Sequence, residues 1–203
     1  SAGGQGGNLE VDVNFMFRIP LWPVQRIDSQ PVGIWQVTGI TVVDVHELAA
    51  GKLSALLARR QARDLFDCSN LFRLDGLAQD RLRLAFVVYG AMSRKDWRTI
   101  ALEDVDVDPA DLEQKLIPML RSVGSEKIRK DQFGKGLVED CRNLLSSLLP
   151  FTAPEQEFLD LILDRGEITP ELLTSDEALQ NRIRRHPLLE WKALNVRGHK
   201  KVR

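Results

Sequence analysis

The stretch KLSALLARRQARDLFD, residues 52–67, decides how this chain is read. It sets Lys52, Arg59, Arg60, Arg63, Asp64 and Asp67 among leucines and alanines. On a helical wheel at about 100° per residue, Lys52, Arg59, Arg63 and Asp67 fall within roughly 80° of arc if the helix is unbroken. Asp64 lies farther round. Three cations and a carboxylate on one stripe have two readings. One is a solvated face, where surface ion pairs contribute little. The other is a polyanion site, in which Lys meets phosphate as a point charge and Arg as a bidentate fork.

Upstream, Asp44 and Glu47 have the D-x-x-E spacing of a capping box. A helix is therefore predicted from there to about Asp67, with Gly51 a weak interior position. GITVVDV, residues 39–45, reads as an extended run leading into it. Farther upstream LEVDVNF alternates strictly: Leu9, Val11, Val13 and Phe15 face one way, and Glu10, Asp12 and Asn14 the other. That is the period of a half-buried strand. The Gly-rich start, SAGGQGGN, reads as a flexible lead-in.

Downstream of residue 75 the chain reads as helical. RLRLAFVVYGAM is an apolar helix with charged flanks. DPADLEQKLIPML has Asp108 as cap and Pro109 at the first helical position. FGKGLVEDCRNLLSSLLP is a further helix. TAPEQEFLDLILDRG opens with T-x-x-E and stops at Gly166. Thr169 and Pro170 open a turn, and Pro187 is expected to close the segment that follows. The fold class predicted is α+β: a short strand-containing segment over residues 1–75, followed by a mainly α-helical bundle over 76–203.

Composition narrows the function classes. The chain has 203 residues, net charge −1 and two cysteines. Cys68 and Cys141 form neither a disulfide framework nor a zinc site, so both are expected as reduced structural thiols in a cytoplasmic protein. No apolar run approaches the ~18 residues that span a bilayer, and no signal peptide is evident. With no bulk basic field, any nucleic-acid contact must be local. The tail supplies a candidate in Arg182, Arg184, Arg185, Lys192, Arg197, Lys200, Lys201 and Arg203, read either as a solvated terminus or as a contact to RNA phosphates. FGKG, residues 133–136, is not a phosphate-binding loop, because the G-x-x-x-x-G-K-[ST] spacing fails. His46, His186 and His199 share no ligand spacing. Trp22, Trp35, Trp97 and Trp191 read as packing residues. Glu103 to Asp108, EDVDVD, reads as a loop.

Carboxylates on a strand facing a basic helix are the parts needed for metal-assisted nucleotidyl transfer, since magnesium takes carboxylate oxygens and a triphosphate takes cations. A solvent-facing strand edge is the alternative for Glu10 and Asp12.

HELAAGKLSALLARRQARDLFD resembles the K-L-x-A-L…R-D-x-x-D signature of AbiEii-type nucleotidyltransferases, toxin components of type IV toxin–antitoxin systems in the polymerase-beta-like superfamily. LEVDVNFMFRIPLW and the region from Glu157 to Lys200 are similar to flanking parts of that family, so the resemblance spans most of the chain. It implies that Lys52 contacts the triphosphate and that Arg63, Asp64 and Asp67 support it. It also implies Asp12 as the third carboxylate, with Glu10 as second choice, for Mg2+ binding. Arg59 joins the nucleotide-binding set from the wheel. The implied partners are a cognate antitoxin and an RNA acceptor such as tRNA. The family's S-x-D-x-D metal motif is not found here, so the expectation is of an incomplete site, inactive alone. The other expectation is a non-catalytic module that binds an antitoxin, a partner subunit or RNA.

Overall fold

Most helices begin and end where the sequence punctuates them, and the one that does not shapes the candidate site. The computed structural model describes residues 19–73, 76–120 and 130–201. The alternating stretch at 9–15 lies outside the described residues. Strands β1 (Gln25–Ile27) and β2 (Ile40–Val42) pair antiparallel, with Arg26 opposite Thr41 and Ile27 opposite Ile40. They are followed by α1 (Val45–Arg59), α2 (Ala62–Phe72) and α3 (Gln79–Ala91). Then come a short α4 (Pro109–Asp111), α5 (Lys130–Ser146), α6 (Ala153–Asp160), α7 (Glu177–Arg184) and α8 (Pro187–Lys201). The fold is α+β with mostly helical content, and its sheet is two-stranded among the described residues.

Several predicted ends are present. Asp108 caps α4 by accepting from the Ala110 N–H, with Pro109 in the first position. Glu155 accepts from the Thr152 N–H at the start of α6. Gly166, at φ 67°, ends the π-helical turn that continues α6. A Cβ there would also meet the Ala193 carbonyl oxygen at 2.4 Å, so backbone sign and space both demand glycine.

Three expectations are corrected. Asp44 caps α1 through the His46 N–H, but Glu47 does not turn back to complete a capping box. Its buried carboxylate instead accepts from the Leu21 and Trp22 N–H groups and the Tyr89 hydroxyl. Pro187 opens α8 rather than closing a segment, as proline at a first helical turn can. The helix expected to reach Asp67 breaks at Arg60, which adopts a left-handed conformation at φ 55° and ψ 35°. Gln61 is then extended, and α2 leaves in a new direction.

Helix α3 is the centre of the molecule. From Ala85 to Ala91 every residue is buried, as expected of a helix covered on all sides. α1 packs along it, and α2 packs on both α1 and α5. Gly90 lets the Trp97 indole lie against the α3 backbone; a Cβ on Gly90 would sit 1.9 Å from the indole nitrogen. One buried cluster contains Leu53 and Leu65 from the first part of the chain and Phe86, Leu145, Phe158 and Ile183 from the rest. Among the described residues no helix is long and apolar enough to cross a membrane. Trp22 and Trp97 are buried as expected, whereas Trp35 and Trp191 are exposed.

Candidate functional site

The break at Arg60 turns the predicted stripe into a seam between two helices. Lys52 and Arg59 lie two turns apart on one face of α1. Asp64 and Asp67 face them from α2. The Lys52 ammonium donates to Asp67 at 2.7 Å. Arg59 forks onto Asp64, with Nε donating at 3.1 Å and Nη2 at 2.8 Å. Every one of these bonds crosses the corner, so the cations belong to one helix and the carboxylates to the other.

The two pairs differ in exposure. The Asp64 side chain is only 6% exposed, and its bidentate guanidinium partner satisfies both oxygens. That pair holds the corner. The side chains of Lys52 and Asp67 are 39% and 42% exposed, so their ion pair stands in water and is cheap to exchange for another anion. Arg63 is exposed on α2, one turn before Asp67, and makes no ion pair or hydrogen bond with a described residue. The seam thus offers Lys52 to an incoming anion, while the charge of Arg63 acts on Asp111, the carboxylate that caps α2.

Two distant acids build the corner. Asp111 of α4 accepts from the Ala62 N–H at 2.7 Å. It supplies the cap that the Gln61 side chain does not make for α2. That hydrogen bond and the Lys115 ammonium hold the Asp111 carboxyl below the usual carboxylate range. Asp104 receives Arg60 at 2.9 Å and Lys95 at 2.7 Å. Partial burial opposes ionisation of Asp104, but Lys95, the Ala101 N–H and Arg60 outweigh it and lower its pKa. Asp104 and Asp111 had no assigned role in the sequence, because both lie more than forty residues from the corner they hold. Beside the corner, Arg59, Arg60, Asp108, Asp111 and Lys115 line an open cleft of about 550 Å³.

The remaining candidates are placed as follows. Glu10 and Asp12 lie outside the described residues. Among the described residues no group of three or more His, Cys, Asp or Glu comes together to hold a metal. Asp64 and Asp67 are both taken by cations, and Asp104 in the EDVDVD loop is paired twice. His46 is buried, and its Nε2 accepts from the Ala78 N–H at 2.9 Å. The proton consequently sits on Nδ1, 2.6 Å from Asp44, and the ring is a structural tie between α1 and the start of α3. Cys68 and Cys141 are free and buried. The Cys141 thiol and burial together push the Cys68 thiol well up, which keeps it protonated and unreactive.

Several tail cations are spent inside the fold. Arg182 donates to the Leu21 carbonyl, Lys192 to the Ser93 carbonyl and Arg197 to the Ala193 carbonyl, while Arg184 pairs with Glu171.

Comparison with known proteins gives one family. The family model described as nucleotidyl transferase AbiEii toxin, type IV TA system, matches residues 1–193. No curated protein and no solved structure matches the chain. The chain belongs to the AbiEii nucleotidyl transferase toxin family of type IV toxin–antitoxin systems.

Proposed function

We propose that the α1–α2 seam is the phosphate-holding face of a nucleotidyltransferase site, and that the protein transfers a nucleotide from a nucleoside triphosphate to an RNA acceptor, tRNA being the first to test. The observation that carries this reading is the Lys52–Asp67 pair. It is a lysine held at 2.7 Å by a carboxylate from a second helix, yet open to solvent. Because both side chains stand in water, the pair costs little to open. Lys52 can exchange Asp67 for a phosphate oxygen without leaving a buried charge behind.

In the reaction an acceptor hydroxyl oxygen bonds to the α-phosphorus and the bond to the β-phosphate oxygen breaks. Pyrophosphate leaves with the electron pair. Lys52 and Arg63 offset the charge on the phosphates, and Asp67 orients Lys52. Asp12 is the proposed acceptor of the hydroxyl proton. With Glu10 it is also the proposed magnesium ligand. Membership in a toxin–antitoxin family implies a cognate antitoxin. The cytoplasm, where triphosphates and RNA occur together, is the proposed setting.

Transfer of label from an α-labelled nucleoside triphosphate to total RNA tests the reading. Lys52→Ala should lower transfer by 100-fold or more, about 2.7 kcal/mol of transition-state stabilisation at 1.36 kcal/mol per decade. Equal transfer by wild type and Lys52→Ala would remove Lys52 from the site.

A further inference from the structure

The α1–α2 corner is held without the Lys52–Asp67 pair. Arg59 forks onto the buried Asp64, Arg60 reaches Asp104, and Asp111 accepts from the Ala62 N–H, so both helices keep their places when Lys52 lets go of Asp67. The two seam carboxylates are therefore unlike. Asp64 is buried with both oxygens bonded, and loss of its partner would strand a charge. Asp67 is exposed to water, and among the described residues its side chain takes one hydrogen bond, from Lys52 to Oδ2 at 2.7 Å. Its release leaves no buried charge behind.

A carboxylate oxygen and a phosphate oxygen ask the same of an ammonium group, a short charge-assisted hydrogen bond. In the empty seam Asp67 takes the bond that a phosphate oxygen would take. An anion that engages Lys52 must displace it, and the displaced carboxylate stays on α2 as a negative charge beside the bound phosphates. Both effects oppose binding. Only the molecules with Lys52 open are competent, which raises the apparent dissociation constant in proportion. Like-charge repulsion between Asp67 and the phosphates adds to it.

We propose that Asp67 is a built-in competitor for Lys52, an autoinhibitory carboxylate that keeps the seam closed until a polyphosphate displaces it. This role rests on the phosphate-holding reading of the seam, and it fixes a sign. Asp67 orients the lysine of the empty site and weakens polyphosphate binding, whereas a carboxylate that served the bound state would strengthen it.

Isothermal titration calorimetry of the full chain with inorganic triphosphate in metal-free buffer reads that sign. Asp67→Asn keeps the shape, removes the charge and should bind about 3- to 10-fold more tightly than wild type. Its far-ultraviolet circular dichroism should match wild type, because the Asp67 side chain is 42% exposed. Adding Lys52→Ala to Asp67→Asn should abolish the gain, which ties it to the lysine. Glu171→Gln removes a carboxylate from the exposed pair with Arg184, on the turn that packs with α6 and α7, and should leave the affinity unchanged. Equal or weaker binding by Asp67→Asn, with wild type still binding, overturns the competitor role and leaves the phosphate-holding reading in place. A gain that persists without Lys52, or that Glu171→Gln reproduces, overturns it too. No binding by any variant overturns both.

Discussion

Glu47 shows how one buried carboxylate can matter more to this fold than any surface ion pair. It accepts from the Leu21 and Trp22 N–H groups and from the Tyr89 hydroxyl, and so ties the entering chain to α1 and α3. Burial raises its pKa, the three donors offset part of that, and Asp44 adds to it. Removing the acceptor strands buried donors, so Glu47→Ala should cost about 3 kcal/mol or more in urea unfolding, while Tyr89→Phe should cost about 1 kcal/mol. The sign of the pH effect follows from the raised pKa. The stability linked to Glu47 is fully present below its unfolded pKa and is lost as pH rises through the folded value. Glu47→Gln should flatten that slope in unfolding curves taken from acid to neutral pH. None of this was legible in the D-x-x-E spacing. The same residue fits a capping box equally well, and only the position of Leu21 and Trp22 decides between them. Lys52 and Asp67, by contrast, were marked by their residue types and adjacency, and the structure brings them into contact.

The α1–α2 corner is where local reading failed, and the reason is physical. ARRQAR contains no glycine or proline, so nothing in it announces a break. A left-handed arginine costs about 1–2 kcal/mol, and here Asp104 and Asp111 supply the compensating bonds from far along the chain. Asp111→Ala should therefore cost about 1 kcal/mol, as loss of an N-cap does. Because the folded Asp111 pKa is lowered, its contribution is present above the unfolded value of about 3.9 and is lost as pH falls through the folded value. The variant should accordingly lose less stability on acidification than wild type, which chemical unfolding at several pH values would read. Elements with intrinsic signals were legible: Asp108-Pro109, Thr152 with Glu155, and Gly166 all mark real ends. The contact of Gly90 with Trp97 carried no such signal. Gly90→Ala should destabilise by about 3 kcal/mol, since a Cβ at 1.9 Å must displace a buried indole.

At the scale of the whole molecule, α3 gathers the helices around itself, and the seam and the hairpin are left facing outward. The α+β class and the helical majority were legible from periodicity and punctuation. The exposure of Trp35 was not, because an aromatic residue fits a buried face as well as an exposed one. The proposed function requires the seam to hold a triphosphate through Lys52. Thermal unfolding of the chain with each nucleoside triphosphate, for wild type and Lys52→Ala, tests it most directly. A ligand at ~100 times its dissociation constant stabilises by about 2.7 kcal/mol, which should raise the midpoint by roughly 5–10 °C at this chain length. A shift of that size in wild type, absent in Lys52→Ala, is the predicted result. No shift with any nucleotide, or an equal shift in Lys52→Ala, would contradict it.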